Sequence, residues 1–269
     1  MPEGPIELSA LELAVAALLL LANGAVSMWL GLGLGRRLLL AGARTVVQLT
    51  LLGYLLVYVF GASQVWLVAT ICTLMVVMAA RESVRRAGRR YARVEVHAFV
   101  SLLVAAGVTV LLATLVVIRA DPWWSPRYLI PLLGMVLGNG LTGISLGLER
   151  CLQRFDEGRA ELELWIAAGA TPWEAARPAA AEAIRAGLIP ILNAMSVVGL
   201  VTIPGMMTGQ ILGGTDPGLA ARYQMLVMFL IAGATAAGTT GVVLLAARAL
   251  FDAEGRLRPD AVRPGGRRS

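Results

Sequence analysis

Seven apolar runs divide the chain: Leu11–Leu34, Leu38–Phe60, Val65–Ala80, Ala98–Ile118, Leu129–Leu148, Ala186–Ile203 and Met225–Ala247. A helix needs about twenty apolar residues to cross a bilayer, and all but the shortest run reach or approach that length. The pattern predicts an all-α, polytopic helical membrane protein of about seven transmembrane helices. One transmembrane domain is expected over residues 1–250, followed by a basic, disordered tail over 251–269. The opening MPEGPIELS has no basic n-region, so the first run reads as a retained span and not as a cleaved signal.

Only one polar stretch is long, the region of about 151–185 between the fifth and sixth runs, and its punctuation is helical. Residues 157–168 fit a short helix with Leu162, Trp165 and Ile166 on one side, and Gly169 suits the positive φ of a helix C-cap. Thr171-Pro172-Trp173-Glu174 then opens a second helix, with Thr171 as N-cap, Pro172 at the first position and Glu174 closing a capping box. Pro178 marks a kink on the way to the sixth run. Two helices meeting at a glycine give a projection with an apolar edge and a rim that includes Glu161 and Glu163. Such a projection can rest on the bilayer surface or dock into a groove of a soluble partner.

Charge supplies the orientation. The chain is 58% hydrophobic and 15% charged, against about a quarter charged in a soluble domain. All 23 basic residues are arginine, and twenty of them fall in the gaps after the first, third and fifth spans or beyond the seventh. Only Arg119, Arg127 and Arg222 fall on the other side. Basic loops stay cytoplasmic, so the amino end is expected outside and the carboxyl end inside, in a plasma (bacterial inner) membrane. The same rule accounts for the net charge of +6 without nucleic acid as a partner. The absence of lysine excludes a P-loop, whose phosphate grip needs that residue. This chain is therefore not expected to hydrolyse ATP by that route, and no cofactor is expected on it.

Chemistry inside the spans is sparse. Asn139, Thr142 and Ser145 form a polar stripe on the fifth span, and Asn193 and Ser196 a pair on the sixth. Polar groups in a bilayer usually face the bundle interior. These residues are candidates for a cargo path, with hydrogen bonding between helices as the plainer reading. Pro204, Gly205 and Gly209 predict a hinge that breaks the helix after the sixth span and frees backbone carbonyls. Beside them Met206 and Met207 offer thioethers, which suit Cu(I) better than iron, and Gln210 offers a harder oxygen. No metal site is assigned: His97 is the single histidine, Cys72 and Cys151 are isolated, and no carboxylate lies mid-span. No nucleophile–base pair suggests an enzyme.

Glu163 followed six residues later by Gly169, after Ala167 and Ala168, resembles the coupling-helix motif of ABC importer permeases. That pattern places a proline thirteen residues past the glycine, where this chain has Glu182. A fuller resemblance lies in RTVVQLTLLG (44–53), MVVMAARESVRR (75–86), GMVLGNGLTGISLGLER (134–150) and GLVTIPGMMTGQILGG (199–214). These blocks resemble the Fet-type iron-export ABC permease family, which includes a plant permease subunit linked to aluminium tolerance. The resemblance implies a transport subunit, not an enzyme, working as a homodimer with a separate P-loop ATPase that binds ATP and Mg, and exporting metal ion, iron foremost. ATPase coupling would then fall to Glu161, Glu163, Trp165, Gly169, Thr171 and Glu174. The alternatives are an ABC permease for lipid or a small organic molecule, and a secondary transporter, which would need a deep ionisable residue.

Overall fold

Within a bilayer the backbone can satisfy its N–H and C=O groups only as a helix or a closed barrel, and the body of every apolar run of this chain is helical. The computed structural model describes residues 9–62, 64–258 and 262–264. Helices α1 (Ala10–Trp29), α2 (Gly35–Ala62), α3 (Val65–Arg86) and α4 (Val94–Leu112) are followed by α5 (Pro126–Glu157), α6 (Arg159–Ala167), α7 (Pro172–Val197), α8 (Gly205–Leu212) and α9 (Pro217–Ala249). A π turn over Ala113–Val117 extends α4. Seven of these helices, all but α6 and α8, are long and apolar enough to cross a membrane. The chain is a multi-pass membrane protein, as expected from its pattern.

The helix ends differ from the expected spans in informative ways. α1 stops at Trp29, and Gly31 and Gly33, both at positive φ, turn the chain into α2 before the apolar run ends. α5 has 32 residues and α9 has 33, about 48–50 Å at 1.5 Å per residue. Both exceed a hydrocarbon layer of about 30 Å. The polar last turns of α5 project at the arginine-rich end of the bundle, while α9 is extended mainly at its opposite, amino-terminal end. The expected short helix at Thr171 is the start of α7, which stays helical through Pro178 and Pro190 into the sixth span.

α5 is the centre of the molecule, packed by α9, α7, α3 and α4. The sequence explains why. α5 carries Gly140, Gly143 and Gly147, and α7 turns Ala183 and Gly187 towards them. A Cβ on Gly187 would lie 2.6 Å from the Gly143 carbonyl oxygen and 2.6 Å from Thr239 Cγ2 on α9. The α5 and α7 backbones therefore meet, with the Thr239 side chain of α9 against them, at a spacing that only glycine permits at this crossing. Around it a continuous core runs through Leu102, Ile144, Leu148, Leu152, Phe155 and Val242. The α1–α2 hairpin stands at the edge, with Val59 entering the core.

Phe251 is buried against Phe155, their rings 5.9 Å apart, and Phe251 bridges Leu257. Arg263–Pro264 (β2) pairs antiparallel with Arg89–Arg90 (β1), the link between α3 and α4. The described parts of the stretch expected as a tail thus return to the body, carried by an apolar anchor that composition alone did not reveal. Residues 1–8, 63, 259–261 and 265–269, with Arg267 and Arg268 among them, lie outside the described residues.

Candidate functional site

At the arginine-rich end, α6 ends in a turn that follows from its last residues. Gly169 takes φ +95°, Ala170 N–H donates to the Trp165 carbonyl and Gly169 N–H to the Ile166 carbonyl. This pair of bonds is the Schellman motif, in which a residue at positive φ closes the helix. Two residues later the capping box forms as expected: Glu174 N–H donates to Thr171 Oγ1, while Glu174 Oε2 accepts from Thr171 N–H at 2.8 Å. The turn between α6 and α7 is thereby fixed at both ends by local chemistry.

Its surface differs from the expected one in a single residue. Leu162 is buried and Ile166 half-buried, four positions apart and facing the body. Trp165 does not join them; it is 54% exposed, beside Leu164 at 69%, and Trp173 on α7 is 50% exposed. Three large apolar side chains thus stand open on a projection whose rim carries Glu161, Glu163 (paired with Arg159 at 2.7 Å), Glu174 and Arg177.

Behind the projection, charges tie the helix extensions together. Glu182 on α7 accepts from Arg150 on α5 and lies 3.0 Å from Arg154. Arg89 reaches Glu149, Asp156 and Glu157 at 3.1, 3.0 and 3.1 Å, and Gly88 N–H donates to Glu149. The Asp156 hydrogen bond, helped by the charges of all three carboxylates, holds the Arg89 guanidinium above its ordinary pKa. Tyr91, whose hydroxyl burial pushes up, pairs with His97 Nδ1 at 2.8 Å. His97 is thus half-buried with a partner. Sequence reasoning missed this network because its members are far apart in the chain.

The expected cargo-path residues do not converge within one chain. Asn139, Thr142 and Ser196 bond carbonyls of their own helices, those of Met135, Gly138 and Leu192, and Ser145 bonds Thr142. Ser145 alone is buried, Thr142 is half-buried, and Asn139, Asn193 and Ser196 are exposed. They were expected to face inwards; the glycines of α5 took the inward face instead. The helix does break at Val198–Pro204, but the backbone freed there is short. Gly205 and Gly209 lie within α8, with Pro204 as its N-cap residue, so the segment from Gly205 to Gln210 is helical and not extended.

That break has another consequence. α7, α8 and α9 enclose an open cavity of about 410 Å³ at the arginine-poor end, lined in part by Met195, Met207, Met225, Met228 and Gln224. Met207 is the one expected path residue among these, beside the hinge proline Pro204. Met206 is half-buried against the core, and Gln210 is half-buried with an unpaired Oε1. The spacing of Gln224 and Met228, one turn apart on α9, was a signal available in the sequence. Among the described residues, no three His, Cys, Asp or Glu side chains group as a metal site.

Comparison with known proteins places the chain. It belongs to the family described as Uncharacterised protein family (UPF0014), whose profile matches residues 10–251. A UPF0014 membrane protein of Synechocystis sp. is 39% identical over 85% of this chain and 88% of its own length. The probable iron export permease protein FetB of Escherichia coli is 28% identical over 91% of this chain and 93% of its own. Protein ALUMINUM SENSITIVE 3 of Arabidopsis thaliana is 31% identical over 71% and 69%. No solved structure matches significantly. The Synechocystis and Escherichia coli relatives are named as a membrane protein and a permease, which agrees with a transport subunit and not an enzyme.

Proposed function

We propose that this UPF0014 protein is the membrane-spanning permease subunit of an ABC transporter that exports metal ion, with iron as the foremost cargo and ATP hydrolysed on a separate P-loop ATPase. The observation that carries the reading is the α6–α7 projection. Leu164, Trp165 and Trp173 stand exposed on an ordered turn outside the bilayer-spanning length, where a soluble partner can cover them. Glu161, Glu163, Gly169, Thr171 and Glu174 shape and rim that coupling surface. The permease name of the Escherichia coli relative supports the export of iron.

The mechanism is that of a lever. α7 is one helix of 26 residues, about 39 Å long, with the docking turn at its start and the methionine-lined cavity at its end. A push on Trp173 displaces the whole rod, because the Arg150–Glu182 pair and the Gly143–Gly187 crossing join it to α5. Positive-inside logic puts the projection in the cytoplasm of a bacterial inner membrane, with the amino end outside. A second copy of the chain is the proposed cover for Asn139, Asn193 and Ser196, since exposed amides and hydroxyls in hydrocarbon are costly. The path between copies would then be lined by these groups.

The test is reconstitution of the full chain with its co-purifying P-loop ATPase in vesicles loaded with ferrous ion. ATP-dependent efflux, lost on Trp165→Ala with Trp173→Ala, is expected. Efflux that proceeds undiminished without ATP overturns the reading. A second reading, a permease for lipid or a small organic molecule, is favoured by one observation. A cavity of about 280 Å³ between α3, α4 and the start of α5, lined by Val68, Cys72, Leu103, Trp123 and Leu129, is almost wholly apolar.

A further inference from the structure

The cavity between α7, α8 and α9 has a composition that neither packing nor the export of a hard metal ion explains. Four of the chain's ten methionines, Met195, Met207, Met225 and Met228, stand on its wall. They come from three separate elements and meet only in the fold. A cavity of this kind filled by thioethers alone would be a packing defect, since methionine usually serves to close irregular gaps. Here the gap stays open at about 410 Å³ with the thioethers around it.

Gln224 sits on the same wall, 7% exposed, and its Oε1 has no hydrogen-bond partner. A buried amide carbonyl without a donor costs about 1–3 kcal/mol. A side chain retained at that cost inside a membrane protein calls for a ligand that accepts a lone pair. The wall residues are otherwise apolar, with Phe229 among them, and none carries a charge.

Donor chemistry then selects the ligand class. Thioethers are soft and neutral, and they favour Cu(I)-like ions. Hard cations such as Mg²⁺ or Ca²⁺ take oxygen ligands, usually carboxylates, and the cavity wall has none. Charge argues the same way, because the Born cost of an ion in a low-dielectric site rises with the square of its charge. A site of neutral ligands is therefore far better matched to a monovalent ion than to a divalent or trivalent one.

We infer that Met195, Met207, Met225 and Met228, with the Gln224 carbonyl, form a binding site for a soft monovalent cation, Cu(I) or Ag(I). The site stands on the cavity itself and goes beyond the iron-export reading. It is measured by binding without transport, so the two can fail separately.

The experiment uses the purified full chain in detergent, with Cys72→Ala and Cys151→Ala removing the two competing thiols. Cu(I) is titrated against a chromophoric Cu(I) chelator in ascorbate, and Ag(I) is followed by methyl NMR of ¹³C-labelled methionines. About one Cu(I) per chain is expected, with shifts confined to the four cavity methyls. Changing all four methionines to leucine, which conserves volume, is expected to weaken Cu(I) binding at least about 100-fold. The double change Met225→Leu with Met228→Leu, confined to α9, provides a milder variant, expected to weaken it at least about tenfold. Met78→Leu on the exposed face of α3 is expected to change nothing. The inference is overturned if the parent takes up no Cu(I), if the folded α9 double variant competes as well as the parent, or if Fe(II) displaces Cu(I) at equal concentration.

Discussion

The crossing of α5, α7 and α9 makes a demand that one methyl group can test. An ideal Cβ on Gly187 lies 2.6 Å from the Gly143 carbonyl oxygen and 2.6 Å from Thr239 Cγ2. Ordinary contacts between carbons lie at about 3.5–4.0 Å. The Thr239 methyl can rotate away, but the Gly143 oxygen belongs to the backbone of the central helix and cannot. Gly187→Ala must therefore push α7 off α5 by on the order of 0.5–1 Å, loosening the Gly147–Ala183 contact and straining the Arg150–Glu182 pair one turn further on. Overpacking of this kind costs about 1–3 kcal/mol. Gly138→Ala on α5 is the matched control, because its Cβ meets nothing within 4 Å, and replacing a helical glycine there is expected to stabilise by about 0.5–1 kcal/mol. Thermal unfolding of the two variants in detergent should therefore move in opposite directions, by about 2–4 °C per kcal/mol for a chain of this size. A Gly187→Ala protein that melts at or above the parent temperature would refute the close crossing.

The other expectations rest on single features. Gly169 has φ +95° with open space around it, so Gly169→Val should insert normally while the strained turn, at about 1–2 kcal/mol or more, uncouples ATP hydrolysis from transport; Gly169→Asn should retain more coupling, and equal transport by all three proteins would sink the role given to this turn. Thr239 is fully buried with an unpaired hydroxyl, so the isosteric Thr239→Val should raise stability by about 1 kcal/mol, and a fall in unfolding temperature would show that the hydroxyl has a partner. Arg89→Gln removes the one guanidinium shared by Glu149, Asp156 and Glu157. Hydrogen exchange of residues 87–93 should rise in this variant while the α5–α7 crossing stays protected, and unchanged exchange would leave the network without a structural role.

What the sequence made legible was whatever a residue decides with its near neighbours. Apolar run length announced seven spans, and a glycine followed by Thr-Pro-x-Glu announced a turn whose hydrogen bonds are those observed at Gly169, Thr171 and Glu174. Trp165 shares a side of α6 with Leu162 and Ile166, yet only the latter two pack on the body. Burial at that depth depends on tertiary contacts that the local spacing does not carry. The polar stripe failed for a different reason. Asn139 and Asn193 were assigned inward by the rule that bilayer polar groups avoid lipid, but within one chain the inward face of α5 belongs to glycines such as Gly143 and Gly147, and that of α7 to Ala183, Gly187 and Ile191. Both rules hold together if the lipid is replaced by a second copy at that face.

At Pro178 tertiary packing carries a helix through a residue that would weaken it in isolation. A proline inside a helix removes one hydrogen bond and costs about 3 kcal/mol in isolation, and the sequence predicts a kink there on the way to the sixth span. In the folded protein Ala175, Ala176, Ala179, Ala180 and Ala183 are all buried on either side of it, a face of small side chains that lets α7 lie close along α5 and α9. Contact spread over that whole face outweighs one lost bond. The outcome matters for function more than for stability: with a true break at Pro178 the projection could move without the span, whereas a continuous α7 obliges the two to move together.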